Sequence, residues 1–313
     1  MRVLVTGGAG FIGSHVVRDA LGAGFEVAVL DNFSTGKPEN VPPGVHVFEA
    51  DLRDRDGTFQ AVAEFRPELV SHQAAQASVT VSMKDPRFDA EVNIIGGLNL
   101  LDACTAVSSS VRHFVFASTG GAIYGEVAEG ERASESFPLE PKSPYGISKL
   151  TFERLLAIYR DQRGLATSVL RYANVYGPRQ DPHGEAGVIA IFFDSALAHQ
   201  NLTVFAKRTP GDGGCIRDYV FVGDVARANI QAMTGKLPHS VVNVGSGRAT
   251  TTLDLAQNIL RLTDSRAAIE QGGVRAGDIE RSLLDISRFE QTLGAPTSLE
   301  AGLAETARWY RER

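Results

Sequence analysis

One short stretch limits this chain to few folds: Thr6-Gly7-Gly8-Ala9-Gly10-Phe11-Ile12-Gly13-Ser14-His15. An apolar β-rich run, Arg2 to Thr6, leads into it, and a helically spaced set, Phe11, Ile12, Val16, Val17, Ala20 and Leu21, leads out. Strand, glycine turn and helix in that order cradle a phosphate. Gly7 permits the tight turn, Gly10 lets backbone N–H groups approach a pyrophosphate, and Gly13 lets the helix close on the strand. The first helical turn adds unpaired N–H groups and a positive dipole end. Asp31 closes the next strand, Glu26 to Leu30, so the run is read as a dinucleotide site rather than a chance glycine turn.

Beyond it the first half alternates strand and helix, the rhythm of a parallel sheet. Strands are expected at Gly44–Glu49, Glu68–Gln73, Arg112–Ala117 and Ala166–Tyr172. A long helix is expected from Asp85-Pro86 to about Ser108, and another from Pro144 through Tyr159. Glu126 to Lys142, polar and without a period, reads as a surface loop. After Ala173 the rhythm loosens into a helix at 187–199, strands near 202–206, 216–222 and 241–245, and helices near 224–234 and 252–263. The fold class is therefore α/β: a doubly wound parallel sheet of Rossmann type with a smaller, interleaved C-terminal lobe. Residues 1–173, with about 220–250, form the dinucleotide domain; 174–219 and 251–313 form the second lobe.

Composition removes several functions. The 313 residues carry a net charge of −6, which gives a polyanion no global field to bind, so nucleic acid is not expected as a partner. No apolar run is long enough for a bilayer, and with a strand starting at Arg2 no leader peptide is expected. Cys104 and Cys215 form no paired motif, which fits a reduced, cytoplasmic setting. The seven histidines lack ligand spacing, so no metal is expected. Cys104, among apolar neighbours, reads as core, and Trp309 with the last residues to Arg313 as a capping helix.

A second pattern carries chemistry. In Tyr145-Gly-Ile-Ser-Lys149 the tyrosine and lysine stand four residues apart near a helix start, on one face. A phenol of reference pKa about 10 is a poor base at neutral pH, and a neighbouring ammonium favours its ionised form. The pair is suited to deprotonate a hydroxyl whose carbon gives up hydride.

Together, Thr6 to Gly13, Asp31, Asp51-Leu52 and Tyr145-x-x-x-Lys149 resemble the extended short-chain dehydrogenase/reductase family. Arg171-Tyr-Ala-Asn-Val-Tyr-Gly-Pro-Arg179, Arg217-Asp218-Tyr219 and Arg275-Ala-Gly-Asp278 are similar to its NAD-dependent nucleotide-sugar epimerases. Ser118 to Gly125 and Gln180 to Gly187 place the likeness nearest the bacterial and archaeal UDP-glucose 4-epimerase branch.

The resemblance implies roles. Gly7, Gly10, Phe11, Ile12 and Gly13 would hold the NAD pyrophosphate. Asp31 would take the adenosine ribose and repel a 2′-phosphate, and Asn32 and the loop to Gly36 would lie beside that ribose. Asp51 and Leu52 would meet adenine; Ala74, Ala75 and Gln76 would line the pyrophosphate and nicotinamide side, and Asn93 would help hold the cofactor. Lys149 and Tyr172 would also touch cofactor. Tyr172 and Asn174 would bridge cofactor and substrate. Asn174, Arg217 and Arg275 would bind the UDP diphosphate, Asp278 the uridine ribose, and Gly187 and Val188 would offer backbone contacts. Thr203 to Phe205 would pack on uracil. Tyr145 would take the 4′-hydroxyl proton, and hydride would leave and return at C4′ around rotation of a 4-keto sugar. The helices at 86–108 and 145–163 would pair across a homodimer. For Arg217 and Arg275, ordinary surface pairing with Asp218 and Asp278 is the competing reading.

One departure stands out. The family's proton-relay hydroxyl falls at Gly120, leaving Thr119 or Ser118, or the tyrosine alone. The glycines at 120 and 121 also argue against a dehydratase. Ser282, small where the family limits room beside the sugar C2 group, leaves space for N-acetylated sugars. Two alternatives stay open: a related enzyme on another UDP-sugar, such as a UDP-N-acetylglucosamine or UDP-glucuronate epimerase or a decarboxylase, and a non-catalytic NAD-binding sensor.

Overall fold

The structure is a computed structural model that describes residues 1–106, 110–182, 187–275 and 277–312. The opening unit is β1 (Arg2–Thr6), α1 (Phe11–Gly22), β2 (Glu26–Asp31), β3 (His46–Glu49), α2 (Arg55–Phe65) and β4 (Leu69–His72). Then come α3 (Val79–Lys84), α4 (Pro86–Ala90), a π-helical stretch Glu91–Gly96, and α5 (Gly97–Ala106). The helix expected from Asp85 is thus one path with a widened middle, and Asp85 caps it by accepting from the Phe88 amide. Its expected end at Ser108 lies outside the described residues. β5 (His113–Thr119), α6 (Gly120–Ile123), α7 (Pro144–Arg163) and β6 (Ala166–Tyr172) follow.

Beyond these lie β7 (Asn174–Tyr176), α8 (Val188–Leu197), β8 (Leu202–Ala206), β9 (Ile216–Phe221), α9 (Val222–Met233), β10 (Val241–Val244), β11 (Ala249–Thr251), α10 (Thr252–Thr263), β12 (Ile269–Val274), α11 (Ser287–Leu293) and α12 (Leu299–Glu312). β7, β11, β12, α3, α6 and α11 are short, and the sequence pattern does not reveal them.

The main sheet runs β10-β6-β5-β4-β1-β2-β3, all parallel. Alternate residues serve opposite faces. Val3, Val5, Val27, Val29, Val115 and Ala117 pack toward α1 and α9, while Leu4, Ala28, Leu30, Val70, Phe114 and Phe116 pack toward α2, α5 and α7. Each such fully buried Val, Leu or Phe contributes roughly 1.5–3 kcal/mol. The order reverses between β1 and β4, and the crevice at that reversal is where a doubly wound sheet takes its ligand. A third core, built from α8, α10, α12 and β8, supports the small sheets β11-β9-β7 and β12-β8.

The 126–142 segment is more than a surface loop. Val127 and Ala133 are buried, and their amides donate to the carbonyls of Arg281 and Leu283. Among the described residues no helix is long and apolar enough to cross a membrane.

Candidate active site

The glycine turn sits at the carboxyl end of β1. Gly7 has φ +66°, and a Cβ there would come within 2.7 Å of the Ala74 amide nitrogen. At Gly13 a Cβ would collide with the Gly7 carbonyl oxygen, so α1 starts in direct contact with the turn. Gly7, Gly10, Phe11, Ile12 and Gly13 form the floor of a groove, with Asp31 and Asn32 on one side and Ala74 and Ala75 on the other. It widens at one end to a cavity of about 390 Å³ bordered by Asp51, Leu52, Gln76 and Phe88.

Asp31 is buried yet well solvated by backbone: Oδ2 accepts from the Ala9 amide and Oδ1 from the Phe33 amide, both at 2.9 Å. Burial raises its pKa, and those two bonds oppose the rise. Each oxygen keeps a second lone pair, enough for two ribose hydroxyls. Asp51 is held down to about 2, first by the Arg53 guanidinium, with Asn32 Nδ2 adding a 2.8 Å bond. Asn93 is not in the groove wall. Its side chain bonds the Gln76 amide and carbonyl, Asp89 and Ser148, so it braces the loop behind the wall.

The groove also takes Ser34, Thr35 and Gly36, from the loop expected beside the ribose, Ala77 of the small-residue run, and Gln73, which sequence reasoning missed. Gln73 accepts from the Tyr172 hydroxyl at 3.2 Å and donates to Ser71 and Asn229. Its one sequence signal is a polar residue leading a run of small ones past a strand end.

At the far end stand Tyr145, Lys149 and Tyr172. Ser143 caps α7 by accepting from the Gly146 amide, with Pro144 in the first turn, so Tyr145 enters on a rigid helical start. Lys149 is 4 % exposed; its Nζ donates to the Ala117 carbonyl at 2.9 Å and lies 5.9 Å from the Tyr145 ring centroid. His72 beneath is pushed down to about 3 by burial and by the Lys149 charge, so it is neutral and does not compete as a cation.

Of the relay candidates, Ser118 borders the groove, but its hydroxyl is engaged elsewhere. Its hydroxyl is buried on the α7 side of the sheet and donates to Glu153 Oε1 at 2.5 Å, which commits it away from a substrate. Thr119 Oγ1 caps nothing, and a Cβ on Gly121 would sit 3.9 Å from it and 3.7 Å from Asn174 Nδ2. Thr119, Gly121 and Asn174 therefore border common space.

In the second lobe, Asn174 donates to the Asp218 carbonyl. The Arg217–Asp218 pairing does not form: Asp218 is buried and accepts from Ser246 and Gly247, while Arg217 Nη1 turns to the Ile216 carbonyl. Arg275 instead lies over the Phe205 ring, 3.5 Å from its centroid, on the strand pair that also carries Thr203. Asp278 sits exposed near Cys215, whose thiol is raised chiefly by burial. Ser282 is buried and donates its amide to the Ile216 carbonyl, next to Arg217. Gly187 and Val188 open α8; residues 183–186 of the motif before them, and Ala276, lie outside the described residues. Burial pushes the Cys104 thiol up to about 12, as an inert core group. No cluster of three or more metal-ligating side chains occurs among the described residues.

A family model described as the NAD dependent epimerase/dehydratase family matches residues 3–245. A UDP-glucose 4-epimerase of Mycolicibacterium smegmatis is 41% identical over 320 residues, covering 100% of this chain and 99% of that protein. The crystal structure of a Thermus thermophilus UDP-glucose 4-epimerase in complex with NAD is 52% identical, with a TM-score of 0.94 and 99% of each chain covered. That of a Thermotoga maritima UDP-glucose 4-epimerase with UDP-glucose is 44% identical, with a TM-score of 0.92, covering 100% of this chain and 99% of that one.

Proposed function

The chain belongs to the NAD dependent epimerase/dehydratase family, and from that footing we propose that it interconverts UDP-glucose and UDP-galactose. The observation that carries this reading is the Tyr145–Lys149 pair at the end of the glycine-floored groove, with Lys149 pinned to the Ala117 carbonyl. The groove fits NAD: a side chain at Gly7 or Gly13 would fill the cradle, and Asp31 has lone pairs for a diol but repels a 2′-phosphate. Bound NAD supplies reversible hydride transfer at the sugar C4′.

The chain's own residues do the rest. Tyr145 takes the 4′-hydroxyl proton and later returns it, with Lys149 stabilising the phenolate charge. In this reading Thr119 passes that proton. Arg217 and Arg275 hold the diphosphate, and Asp278 the uridine ribose. Because UDP is gripped and the hexose is bordered by Gly121, the 4-keto sugar has room to turn. In this reading residues 1–173 with about 220–250 serve NAD, and 174–219 with 251–313 serve the UDP-sugar. A second copy would cover the exposed Met83, Ile95, Ile147 and Ile158 of α3, the π-helical stretch and α7, giving a homodimer.

The test is purified protein given UDP-galactose and no added cofactor. UDP-glucose should form without net NADH, and Tyr145→Phe should abolish it. Net NADH or CO₂ release would point to another chemistry, and unchanged Tyr145→Phe would sink the reading. Small, buried Ser282 supports turnover of UDP-N-acetylglucosamine as well; none at saturation would exclude it.

A further inference from the structure

The tyrosine–lysine face of α7 carries a third ionisable residue that the reaction does not use. Glu153 follows Lys149 by four residues and Tyr145 by eight, so the three share one stripe. It is 8 % exposed, a carboxylate placed where it would draw the Lys149 ammonium. Arg171, from β6, takes both of its oxygens: Nε reaches Oε1 at 3.0 Å and Nη2 reaches Oε2 at 2.6 Å. The Ser118 hydroxyl donates to Oε1 as well. Arg171 Nη1 then donates to the Tyr124 hydroxyl at 2.9 Å, which donates to Asn243 Oδ1 on β10. The result fixes α7 to β5 at two consecutive residues, Ala117 through Lys149 and Ser118 through Glu153.

We infer that Glu153 and Arg171 are positioning residues for the Tyr145–Lys149 pair: Arg171 cancels the carboxylate charge beside Lys149, and the carboxylate pins the end of β5 against the tyrosine's helix. This rests on Tyr145 being the base. Farther along α7, Asp102 of α5 accepts from the Tyr159 hydroxyl. Asp89 of α4 is bound by Gln76 and Asn93, His72 of β4 is neutral, and Glu135 of the 126–142 segment faces Arg288. Tyr124 and Tyr172 are raised by burial to about 12, Asp31 lies across the groove, and Lys84 and the Arg87–Glu91 pair lie on the outer side.

Eight residues of helix separate Tyr145 and Glu153 by about 12 Å. At that range one uncancelled charge moves a titration by about one pH unit. The experiment is the pH profile of kcat for UDP-galactose. In Arg171→Gln the rising limb should move up by about one unit, because a bare carboxylate opposes the phenolate. In Glu153→Gln it should move down by a similar amount, because a bare guanidinium favours it. The double variant Arg171→Gln/Glu153→Gln, near-isosteric and without an orphan charge, should return to within a few tenths of the parent.

Removing one partner of a buried pair is costly to folding. Either single variant suffices, since the sign is the signature. Should neither fold, Glu153→Asp keeps both charges and shortens the pin; kcat should fall about tenfold with midpoint and KM unchanged. Single variants that lose rate equally at every pH, a midpoint that moves in the same direction in both, or an unaltered kcat in Glu153→Asp would overturn the inference. An active Tyr145→Phe would instead overturn the assignment of the base.

Discussion

A hydroxyl-bearing side chain at position 120 is disfavoured by packing, and Gly120→Ser tests it. A Cβ there would stand 2.6 Å from Leu284 Cδ1 and 3.1 Å from the Arg171 carbonyl oxygen. A flexible side chain could give way, but Leu284 is fully buried, and its amide is tied to Asp218 Oδ2. The carbonyl belongs to β6 in mid-sheet and has no freedom to shift. Overpacking of this kind costs about 1–3 kcal/mol. For a chain of 313 residues that lowers Tm by about 2–5 °C. Leu284→Val shortens the obstructing branch, so the double variant should recover about 1 kcal/mol relative to additivity. The assay is a thermal and urea melt of the parent, both singles and the double. A Gly120→Ser protein as stable as the parent, or a double-mutant cycle with no coupling, would refute the steric argument. The placement of the proton relay on Thr119 would then lose its physical ground.

Thr119→Val should lower kcat about 10²-fold or more with little change in KM, measured with UDP-galactose; an unchanged kcat would leave Tyr145 acting alone. Lys149→Met should lower kcat by about 10²–10⁴ and make the remaining rate rise more steeply toward alkaline pH, read from a pH series. His15 and His72 are both held near 3, chiefly by burial, against about 6.5 when unfolded. The unfolded chain therefore binds protons first: stability is full above pH 6.5 and falls as pH drops toward 3, by up to about 1.4 kcal/mol per unit for each histidine. Urea melts at pH 7 and 5 should show it, and His15→Gln should remove one share of the slope. Ile147 is 53 % exposed on α7, and Ile147→Glu should shift the protein from dimer to monomer by analytical ultracentrifugation.

The groove was legible in the sequence because its parts are local. Gly7 to Gly13 turn, cradle and start a helix within one stretch, and Asp31 follows one strand later. Tyr145 and Lys149 are likewise set by helical spacing alone. What stayed hidden depends on residues far apart in the chain. Gln73 matters through Tyr172, 99 positions away, and Gly120 through Leu284. The likeness to known epimerases singled out Arg217 and Arg275, but not how they stand. Only the fold turns Asp218 inward to Ser246 and sets Arg275 on Phe205. β7, β11 and β12 escaped notice because three to six residues of partly exposed strand carry too little pattern to register.

Ser118 makes the same point at the level of one atom. By sequence it stands one residue from Thr119, and either hydroxyl could serve. The strand's alternation decides between them: Ser118 shares the face of Phe114 and Phe116, toward α7, and Thr119 the opposite one. A serine facing α7 must satisfy its hydroxyl inside the protein, and Glu153 is there to accept it. That carboxylate in turn requires Arg171, because an unpaired charge so buried would cost several kcal/mol. The polar core behind the tyrosine is thus a chain of necessities that begins with the pleat of β5. Its outcome is that one of two adjacent hydroxyls supports the scaffold, and the other borders the space beside Gly121 and Asn174.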